Sequence, residues 1–182
     1  MQIILSNNKS VVVSLATLVE AVALYNYFLK LSPLTQSRYA PHSFDSKNVT
    51  GICRNNGKDY AAYIATETTN KTVVAYMLIK QGFLLDDFNR YASRNQFYLH
   101  TETVSFAPSV ADDWQSSGLG REMNQYIELQ LRTQQQRHIV LWGGVQAANE
   151  KALNFYKKQG YQQMGDFWLN GLQNLDMIKT LY

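Results

Sequence analysis

Apolar residues near the start of the chain form two short β-prone runs. Met1–Leu5 and Val11–Ser14 predict a hairpin, because the Asn7-Asn8 pair between them tolerates positive φ. Two further strands are predicted at Tyr60–Glu67 and Val73–Ile79, joined by a turn at residues 69–71.

A helical period replaces the strand pattern after residue 16. Thr17 and Glu20 form a T-x-x-E capping box that predicts a helix start. The helix should end near Leu31, because Pro33 disfavours helical backbone at the residue before it. Its buried face is predicted from the residues that recur at helical spacing: Leu18, Val22, Tyr25 and Leu29.

The remaining chain alternates between predicted helices and predicted strands. Residues 32–50 are polar and irregular, with a short helix expected around Thr35–Tyr39, and residues 83–94 suit either a helix or a covering loop. Further elements are predicted in this order: a strand at Phe97–Val110, a helix at Leu119–Gln134, a strand at His138–Trp142, a helix at Glu150–Gln159, a strand at Tyr161–Trp168, a turn at Asn170-Gly171 and a strand at Leu175–Leu181. This order predicts an α+β fold in layers, with residues 1–182 forming a single domain.

Composition narrows the class of protein. The chain has 182 residues, 46% of them hydrophobic and 17% charged, which excludes a disordered polymer. Its one cysteine, Cys53, cannot form an intrachain disulfide, and its three histidines lack metal-ligand spacing, so we expect a cytoplasmic protein without a metal. The net charge of +3 includes no basic run, which argues against nucleic-acid binding. Glu20 in the apolar stretch Val11–Leu29 argues against a membrane span.

The segment Gln115–Gly120 has the features of a phosphate-binding loop. Gly118 and Gly120 let the backbone approach a ligand closely, and successive N–H groups at a helix start attract anions. A tight strand-to-helix turn without a ligand explains the same glycines equally well. A dinucleotide-binding fingerprint has glycine or alanine at its third conserved position, where this chain has Met123. A nucleoside-triphosphate loop requires Gly-Lys-Ser or Gly-Lys-Thr, and the sequence contains neither.

The helix predicted after Asn149 has suitable ends and one notable face. Asn149 is a good N-cap residue and Gly160 a good residue for the C-terminal turn. Asn149 and Tyr156 are seven residues apart, which places them on the same face about 10 Å apart along the axis. That face could line an extended ligand, with Ala152 and Phe155 packed behind it.

Together these two segments resemble the GNAT superfamily of N-acetyltransferases. The family's loop pattern is [Q/R]-x-x-G-x-[G/A], which Gln115, Gly118 and Gly120 match. Its helix pattern N-x-x-A-x-x-F-Y-x-x-x-G-[F/Y] is matched by Asn149, Ala152, Phe155, Tyr156, Gly160 and Tyr161. The segment Val110–Trp114 and residues 176–179 are also similar to family segments. The resemblance is firm over residues 104–182 and weaker over residues 1–103.

The resemblance implies a GNAT-like acyl-CoA N-acyltransferase fold. Such a fold has a mixed, mostly antiparallel sheet flanked by helices and splayed between the strands near 101–110 and 138–142 to hold acetyl-CoA as cosubstrate. Val110 and Ala111 would contact the pantetheine, and Asn149 its arm. The pyrophosphate would be held by the backbone of the loop: Gln115, Ser116, Ser117, Gly118, Leu119, Gly120 and Arg121.

The resemblance also assigns the catalytic groups. Tyr156 matches the family's general acid. Many relatives place a glutamate base at a position that aligns with Ser105, and the nearest glutamate here is Glu102. Glu102 is three residues before Ser105, so the alternation of side chains along a strand would point it to the opposite face of the sheet from Ser105 unless a bulge intervenes. Glu102 is the predicted base, with Asp112, Asp113, His100 or a water chain as alternatives.

The predicted function is transfer of an acetyl group from acetyl-CoA to a primary amine of a small molecule or peptide. A protein-lysine or N-terminal acetyltransferase is an alternative, because the substrate-facing segments 32–50 and 80–97 carry few signals. A regulatory module that binds acyl-CoA without turnover is another, favoured by the missing strand glutamate and disfavoured by Tyr156. A homodimer is compatible with each of these functions. No membrane partner is expected.

Overall fold

The computed structural model describes residues 1–39, 41–58 and 60–182. Its strands are β1 (Gln2–Ile4), β2 (Ser10–Leu15), β3 (Tyr60–Glu67), β4 (Val73–Gln81), β5 (Thr103–Val110), β6 (His138–Leu141), β7 (Val145–Gln146), β8 (Gln162–Leu169) and β9 (Leu172–Thr180). Its α-helices are α1 (Ala21–Lys30), α2 (Pro33–Arg38), α3 (Ser46–Asn55), α4 (Leu85–Ser93), α5 (Leu119–Thr133) and α6 (Glu150–Lys158).

The chain forms two compact units. The first comprises Met1–Ile79 with Ala107–Ile127, and the second comprises Lys80–Phe106 with Glu128–Tyr182. The strand order is β1-β2-β3-β4 in the first unit and β5-β6-β9-β7 in the second, where β8 also pairs with β9. Strands β4 and β5 each contribute residues to both units. That the chain folds as a single domain stays a prediction.

The first unit begins with the predicted hairpin. β1 and β2 pair antiparallel, and Asn8 supplies the positive φ of 61° at the turn. Val11 and Val13 of β2 point into the core while Val12 between them is exposed, as the two-residue period predicts. β2 also pairs antiparallel with β3.

Helix α1 follows the predicted capping box, but its predicted buried face is wrong. Thr17 Oγ1 accepts the Val19 N–H of a 3₁₀ turn at Leu18–Glu20, and Glu20 Oε2 accepts the Thr17 N–H in return. The residues predicted to be buried include Leu18, Val22 and Leu29, which are 51%, 72% and 59% exposed. The core contains another set: Ala21, Leu24, Tyr27 and Phe28. The helix is apolar on nearly all sides, so its periodicity fits two faces and only tertiary packing selects one.

Helix α3 was missed within and after the segment predicted to be irregular. Asp45 is its N-cap, and its Oδ1 accepts the Asn48 N–H at 2.9 Å. Val49, Ile52 and Cys53 are buried at helical spacing. Most residues of this helix are weak helix formers, among them Asn48, Thr50 and Gly51, so local propensity does not predict it. The short helix expected around Thr35–Tyr39 is confirmed as α2.

The predicted strand at Phe97–Val110 is too long by six residues. A 3₁₀ turn occupies His100–Glu102, and β5 starts only at Thr103. In this segment, hydrogen bonds from side chains to backbone carbonyls take the place of the backbone bonds between strands. Gln81 Nε2 donates to the carbonyl oxygens of His100 and Thr103, and Thr103 Oγ1 donates to the Leu99 carbonyl.

The second unit contains the parallel pair of strands. β5 pairs with β6 in parallel from Thr103 to Phe106, and this register ends there. β6, β7 and β8 each pair antiparallel with β9. Asn170 (φ 50°) and Gly171 (φ 75°) form the predicted hairpin turn, although β9 begins three residues earlier than predicted. The two-residue strand β7 is too short for periodicity to reveal.

Helix α4 resolves the open choice at residues 83–94, and it packs into the core of the second unit. That core contains Phe83, Tyr91, Val140 and Ile178. The mixed, mostly antiparallel α+β class is thereby confirmed. Within the described ranges, no helix has both the length and the apolar character to cross a bilayer.

Candidate active site

Residues 115–118 of the first unit form a tight loop that leads into α5, which begins at Leu119. Ser116 and Gly118 have positive φ values of 64° and 91°. Ser117 Oγ donates to the Trp114 carbonyl at 2.6 Å and accepts the Leu119 N–H at 3.3 Å. Leu119 is fully buried, and it anchors the start of α5 in the core of the first unit. These bonds fix the direction in which the helix start points.

A pocket of about 350 Å³ opens beside this loop. Its size falls within the range of about 300–1,000 Å³ typical of ligand pockets. The lining comes from the loop, the start of α5 and the end of β1: Ile4, Leu5, Ser6, Ser116, Ser117, Gly118, Arg121 and Glu122. The sequence missed Ile4, Leu5 and Ser6, because the loop motif contains no signal from a distant hairpin. The first N–H groups of a helix lack intrahelical partners, so the pocket suits an anionic ligand.

Two basic side chains lie around the loop. Arg121 Nη2 is 2.8 Å from Glu122 Oε1, in a pair exposed enough to exchange partners at little cost. Lys9 Nζ lies 4.5 Å from the ring centre of Trp114, the buried residue just before the loop. Both are therefore available to balance negative charge there.

The end of β5 leads directly into the loop. The Ala111 N–H donates to the Val74 carbonyl at 2.9 Å, which ties this end to β4. Gln115 Nε2 donates to the Val110 carbonyl at 3.3 Å. The Gln115 side chain and its backbone N–H, which donates to the Asp112 carbonyl at 3.3 Å, thus both stabilise the turn before the loop. The structure brings Val110, Ala111 and the whole loop together in the first unit.

Asp112 organises the same region and is a poor candidate for a base. Its carboxylate accepts the Ser32 N–H and Ser32 hydroxyl, both at 2.9 Å, and the Thr35 hydroxyl at 2.6 Å. Partial burial raises the pKa of Asp112, but these three bonds outweigh it and hold that pKa below the usual 3.8. The bonds fasten the start of α2 to the end of β5.

The predicted helix motif lies in the second unit. Asn149 is the N-cap of α6, and its Oδ1 accepts the Ala152 N–H at 3.3 Å. Tyr156 is 8% exposed, and its ring centre lies 5.3 Å from those of Phe155 and Tyr161. Burial raises the pKa of the Tyr156 phenol above its ordinary value of 10, so the hydroxyl keeps its proton at neutral pH.

Glu102, the predicted base, and Ser105, the position that aligns with the family's glutamate, both form bonds within the protein. Ser105 is fully buried, and its Oγ donates to the Gly82 carbonyl at 2.8 Å. Glu102 lies in the 3₁₀ turn before β5, so the argument from strand alternation does not apply to it. Its Oε2 is 3.2 Å from Arg137 Nε, and its carbonyl accepts the Arg137 N–H.

Glu102, Asn149 and Tyr156 all belong to the second unit. In the described part of the chain, no three His, Cys, Asp or Glu side chains come close enough to hold a metal ion.

Comparisons with known proteins bear on the family and the fold of the chain. A family model described as "Acetyltransferase (GNAT) domain" matches residues 58–163, more than half of the chain. The fold is similar to the GNAT domain of PAT from S. lividans, with a TM-score of 0.77 at 15% identity over 99% of this chain and 96% of that one.

Two further solved structures share the fold. The acetyltransferase yncA from Salmonella typhimurium, solved with its cofactor acetyl-CoA, has a TM-score of 0.70 at 15% identity over 94% of each chain. The ribosomal-protein-S18-alanine N-acetyltransferase from Escherichia coli has a TM-score of 0.62 at 16% identity over 94% of each chain. The fold expected from the sequence resemblance is confirmed.

Proposed function

This chain belongs to the acetyltransferase (GNAT) family, and from that premise we propose that it transfers an acetyl group from acetyl-CoA to a primary amine. The transfer proceeds by direct attack in a ternary complex. The acceptor is a small molecule or a peptide.

The observation that carries the proposal is the pocket at the start of α5. Positive φ at Ser116 and Gly118 turns the chain into a helix start beside a concave surface. Arg121 lines this surface and brings a positive charge to it. A pyrophosphate is the part of acetyl-CoA that this chemistry fits, and the similar structure of yncA was solved with acetyl-CoA.

Each motif residue then has a defined task. The backbone of Gln115–Arg121 would hold the pyrophosphate, Val110 and Ala111 the pantetheine, and Asn149 the pantetheine arm. Positioning the two reactants supplies much of the rate enhancement, because it turns a bimolecular step into an effectively unimolecular one. Tyr156 would donate its proton to the departing thiolate, since burial keeps that phenol protonated.

The reaction releases one proton overall. The amine arrives as an ammonium ion and loses a proton to become a nucleophile. Its nitrogen attacks the thioester carbonyl, the C–N bond forms, and the C–S bond breaks. The thiolate takes the proton of Tyr156, and the second proton leaving the nitrogen restores the phenol through water. Acetylated amine, CoA thiol and one proton are the products.

One observation favours a second candidate function, an acyl-CoA-binding module without turnover. Ser105 occupies the position that aligns with the family's glutamate, and its hydroxyl is bonded to Gly82. Glu102 is paired with Arg137. A module of this kind would bind acetyl-CoA and release no thiol with any amine.

Binding and turnover are tested separately. Calorimetric titration with acetyl-CoA should show heat and a raised melting temperature, because a ligand of the native state stabilises it. Thiol release is then followed across amines, amino acids, amino sugars, lysine peptides and alanine-terminated peptides. Heat without thiol release in the whole panel supports the binding module, and neither signal contradicts both functions.

A charge-reversal pair locates the cofactor site. Arg121→Glu should weaken acetyl-CoA binding at least about tenfold, since hydrogen bonds to charged groups are worth about 1.5–3 kcal/mol. Arg132→Glu is the matched control, because it makes the same charge change in the last turn of the same helix. Equal affinities for the two variants would place the pyrophosphate elsewhere.

A further inference from the structure

An apolar stripe runs along the outer side of α1 and of the 3₁₀ turn before it. We define the α1 stripe as Leu18, Val22, Tyr25 and Leu29. Leu18, Val22 and Leu29 are each more than half exposed, and Tyr25 is partly exposed. These are the positions whose helical spacing predicted a buried face. The pattern of a packed helix is therefore present, yet in the single chain it faces solvent.

The opposite side of α1 is fixed in the core of the first unit. Tyr27 and Phe28 are buried there. Tyr27 Oη lies 2.7 Å from Ser109 Oγ on β5, and the Phe28 ring stacks on Phe44 with ring centres 4.5 Å apart. A rotation of α1 that buried the α1 stripe would break these contacts. Burial of the α1 stripe therefore requires a second molecule.

Exposed apolar side chains are concentrated around this helix. The structure describes eighteen large apolar side chains as exposed, and six of them lie within residues 15–34: Leu15, Leu18, Val19, Val22, Leu29 and Leu34. A third of these side chains thus falls in about a ninth of the chain. Single exposed apolar residues are normal on a protein surface, whereas contiguous ones mark interaction sites.

The charge of the helix favours a protein partner over a membrane. Residues 18–31 contain two charged side chains, Glu20 near the start and Lys30 near the end. Helices that lie on membranes carry several lysines or arginines on a polar face, and the other face of α1 is packed in the core instead. The centres of protein interfaces are depleted in charge, as the middle of this segment is.

The α1 stripe is complementary to itself when two copies run antiparallel. Its midpoint lies between residues 23 and 24. Leu18 and Leu29 are equally far from that midpoint, and so are Val22 and Tyr25. Antiparallel copies would therefore pair each Leu18 with a Leu29 and each Val22 with a Tyr25, and every member of the α1 stripe would have an apolar neighbour.

The charges at the two ends fit the same arrangement. Antiparallel copies centred on that midpoint bring Lys30 of one copy within about 5 Å, along the axis, of Glu20 of the other. Glu20 Oε2 is used by the capping box with Thr17, whereas its Oε1 has no donor among the described residues. The positive end of each helix dipole would also lie beside the negative end of the other. Parallel copies would place like charges together.

We propose that the α1 stripe is the contact surface of a homodimer, in which two copies of this chain pack their α1 helices antiparallel about a two-fold axis. Such an interface uses the same patch on both subunits. From Leu18 to Leu29 the contact is about 17 Å long and about 10 Å wide, which is less surface than the about 800 Å² per partner of a stable dimer. The homodimer is therefore weak and reversible, and it is independent of the proposed function.

Sedimentation equilibrium of the full chain tests the inference. Between about 1 μM and 1 mM, the range of weak affinities, the parent should pass from monomer to dimer. Val22→Lys and Leu29→Lys should each raise the dimer Kd at least about tenfold, because the two-fold axis brings the new charge into the contact from both copies. Leu129→Lys is the matched control, since Leu129 lies on a helix and is 58% exposed, against 59% for Leu29. Its Kd should equal the parent's.

Thiol cross-linking tests the orientation of the two helices. The native Cys53 is buried, so cysteines introduced by Asn26→Cys or Lys30→Cys should react selectively. In the antiparallel homodimer the two copies of position 26 would be about 8 Å apart along the axis, and those of position 30 about 20 Å. A short cross-linker should therefore join Asn26→Cys chains and leave Lys30→Cys chains single. Equal cross-linking of both variants would overturn the antiparallel arrangement.

The remaining outcomes are equally decisive. A parent that stays monomeric over the whole concentration range overturns the proposal, and binding of that monomer to phosphatidylcholine–phosphatidylserine vesicles would make the α1 stripe a membrane contact instead. A dimer that neither Val22→Lys nor Leu29→Lys weakens forms through another surface, which also overturns it. Both side chains are exposed in the single chain, so the variants should keep the parent's melting temperature. Should one of them unfold, the other decides.

Discussion

Tyr156→Phe is the sharpest test of the proposed chemistry, because it removes one oxygen and keeps the ring. The Tyr156 ring packs against Phe155 and Tyr161, with both centres 5.3 Å away, and phenylalanine retains those contacts. Melting temperature and acetyl-CoA affinity should therefore change little. Turnover should fall about 10²–10⁴-fold, the usual contribution of a positioned proton donor. At about 1.36 kcal/mol per tenfold, this is about 2.7–5.5 kcal/mol of transition-state stabilisation.

The neighbouring Tyr161 provides a matched control. It is 3% exposed, and within the described ranges its hydroxyl has no hydrogen-bond partner. Tyr161→Phe deletes the same atom from the same kind of environment. It should leave turnover unchanged and raise the free energy of unfolding by up to about 1–3 kcal/mol, the cost of a buried unsatisfied polar group.

The assay measures thiol release at saturating acetyl-CoA with the best amine, together with calorimetric affinity and a thermal melt for each variant. Burial raises the pKa of Tyr156, so the phenol stays protonated below about pH 10 and should add no alkaline limb in that range. Turnover of Tyr156→Phe within a few-fold of Tyr161→Phe would refute the acid assignment. Equal losses in both variants would point to packing instead of proton donation.

Two further predictions concern stability. Asp176→Ala should lower the free energy of unfolding by about 3 kcal/mol in urea titrations, because this fully buried carboxylate accepts from Arg90 at 2.9 Å and Arg94 at 2.7 Å, and breaking a buried pair leaves charge uncompensated; an unchanged midpoint contradicts this. Asp112→Ala should cost about 1 kcal/mol at neutral pH through loss of the hydrogen bonds that its carboxylate accepts from Ser32 and Thr35. Because the folded-state pKa of Asp112 lies below 3.8, the stabilisation by its carboxylate is present above pH 3.8 and is lost as the pH falls further. A difference in unfolding free energy between parent and Asp112→Ala that persists in acid would refute this prediction.

Local sequence determined the elements whose signals are contained within a few residues. The Thr17 capping box, the Asn8 turn and the Asn170-Gly171 hairpin all formed as predicted, because each depends on bonds or φ values within a short segment. The loop at 115–120 belongs to the same group, since its glycines lie between a strand and a helix start. These local features, together with the helix motif, were sufficient to predict the fold class.

Only the tertiary structure decided which surfaces are buried and which polar groups are already bonded. Helix α1 is apolar on most sides, and its contacts buried Tyr27 and Phe28 rather than Val22 and Leu29. The pocket beside the loop also needs the distant β1. Periodicity and motifs report neighbours along the chain, whereas burial and hydrogen-bond partners depend on residues far away in sequence.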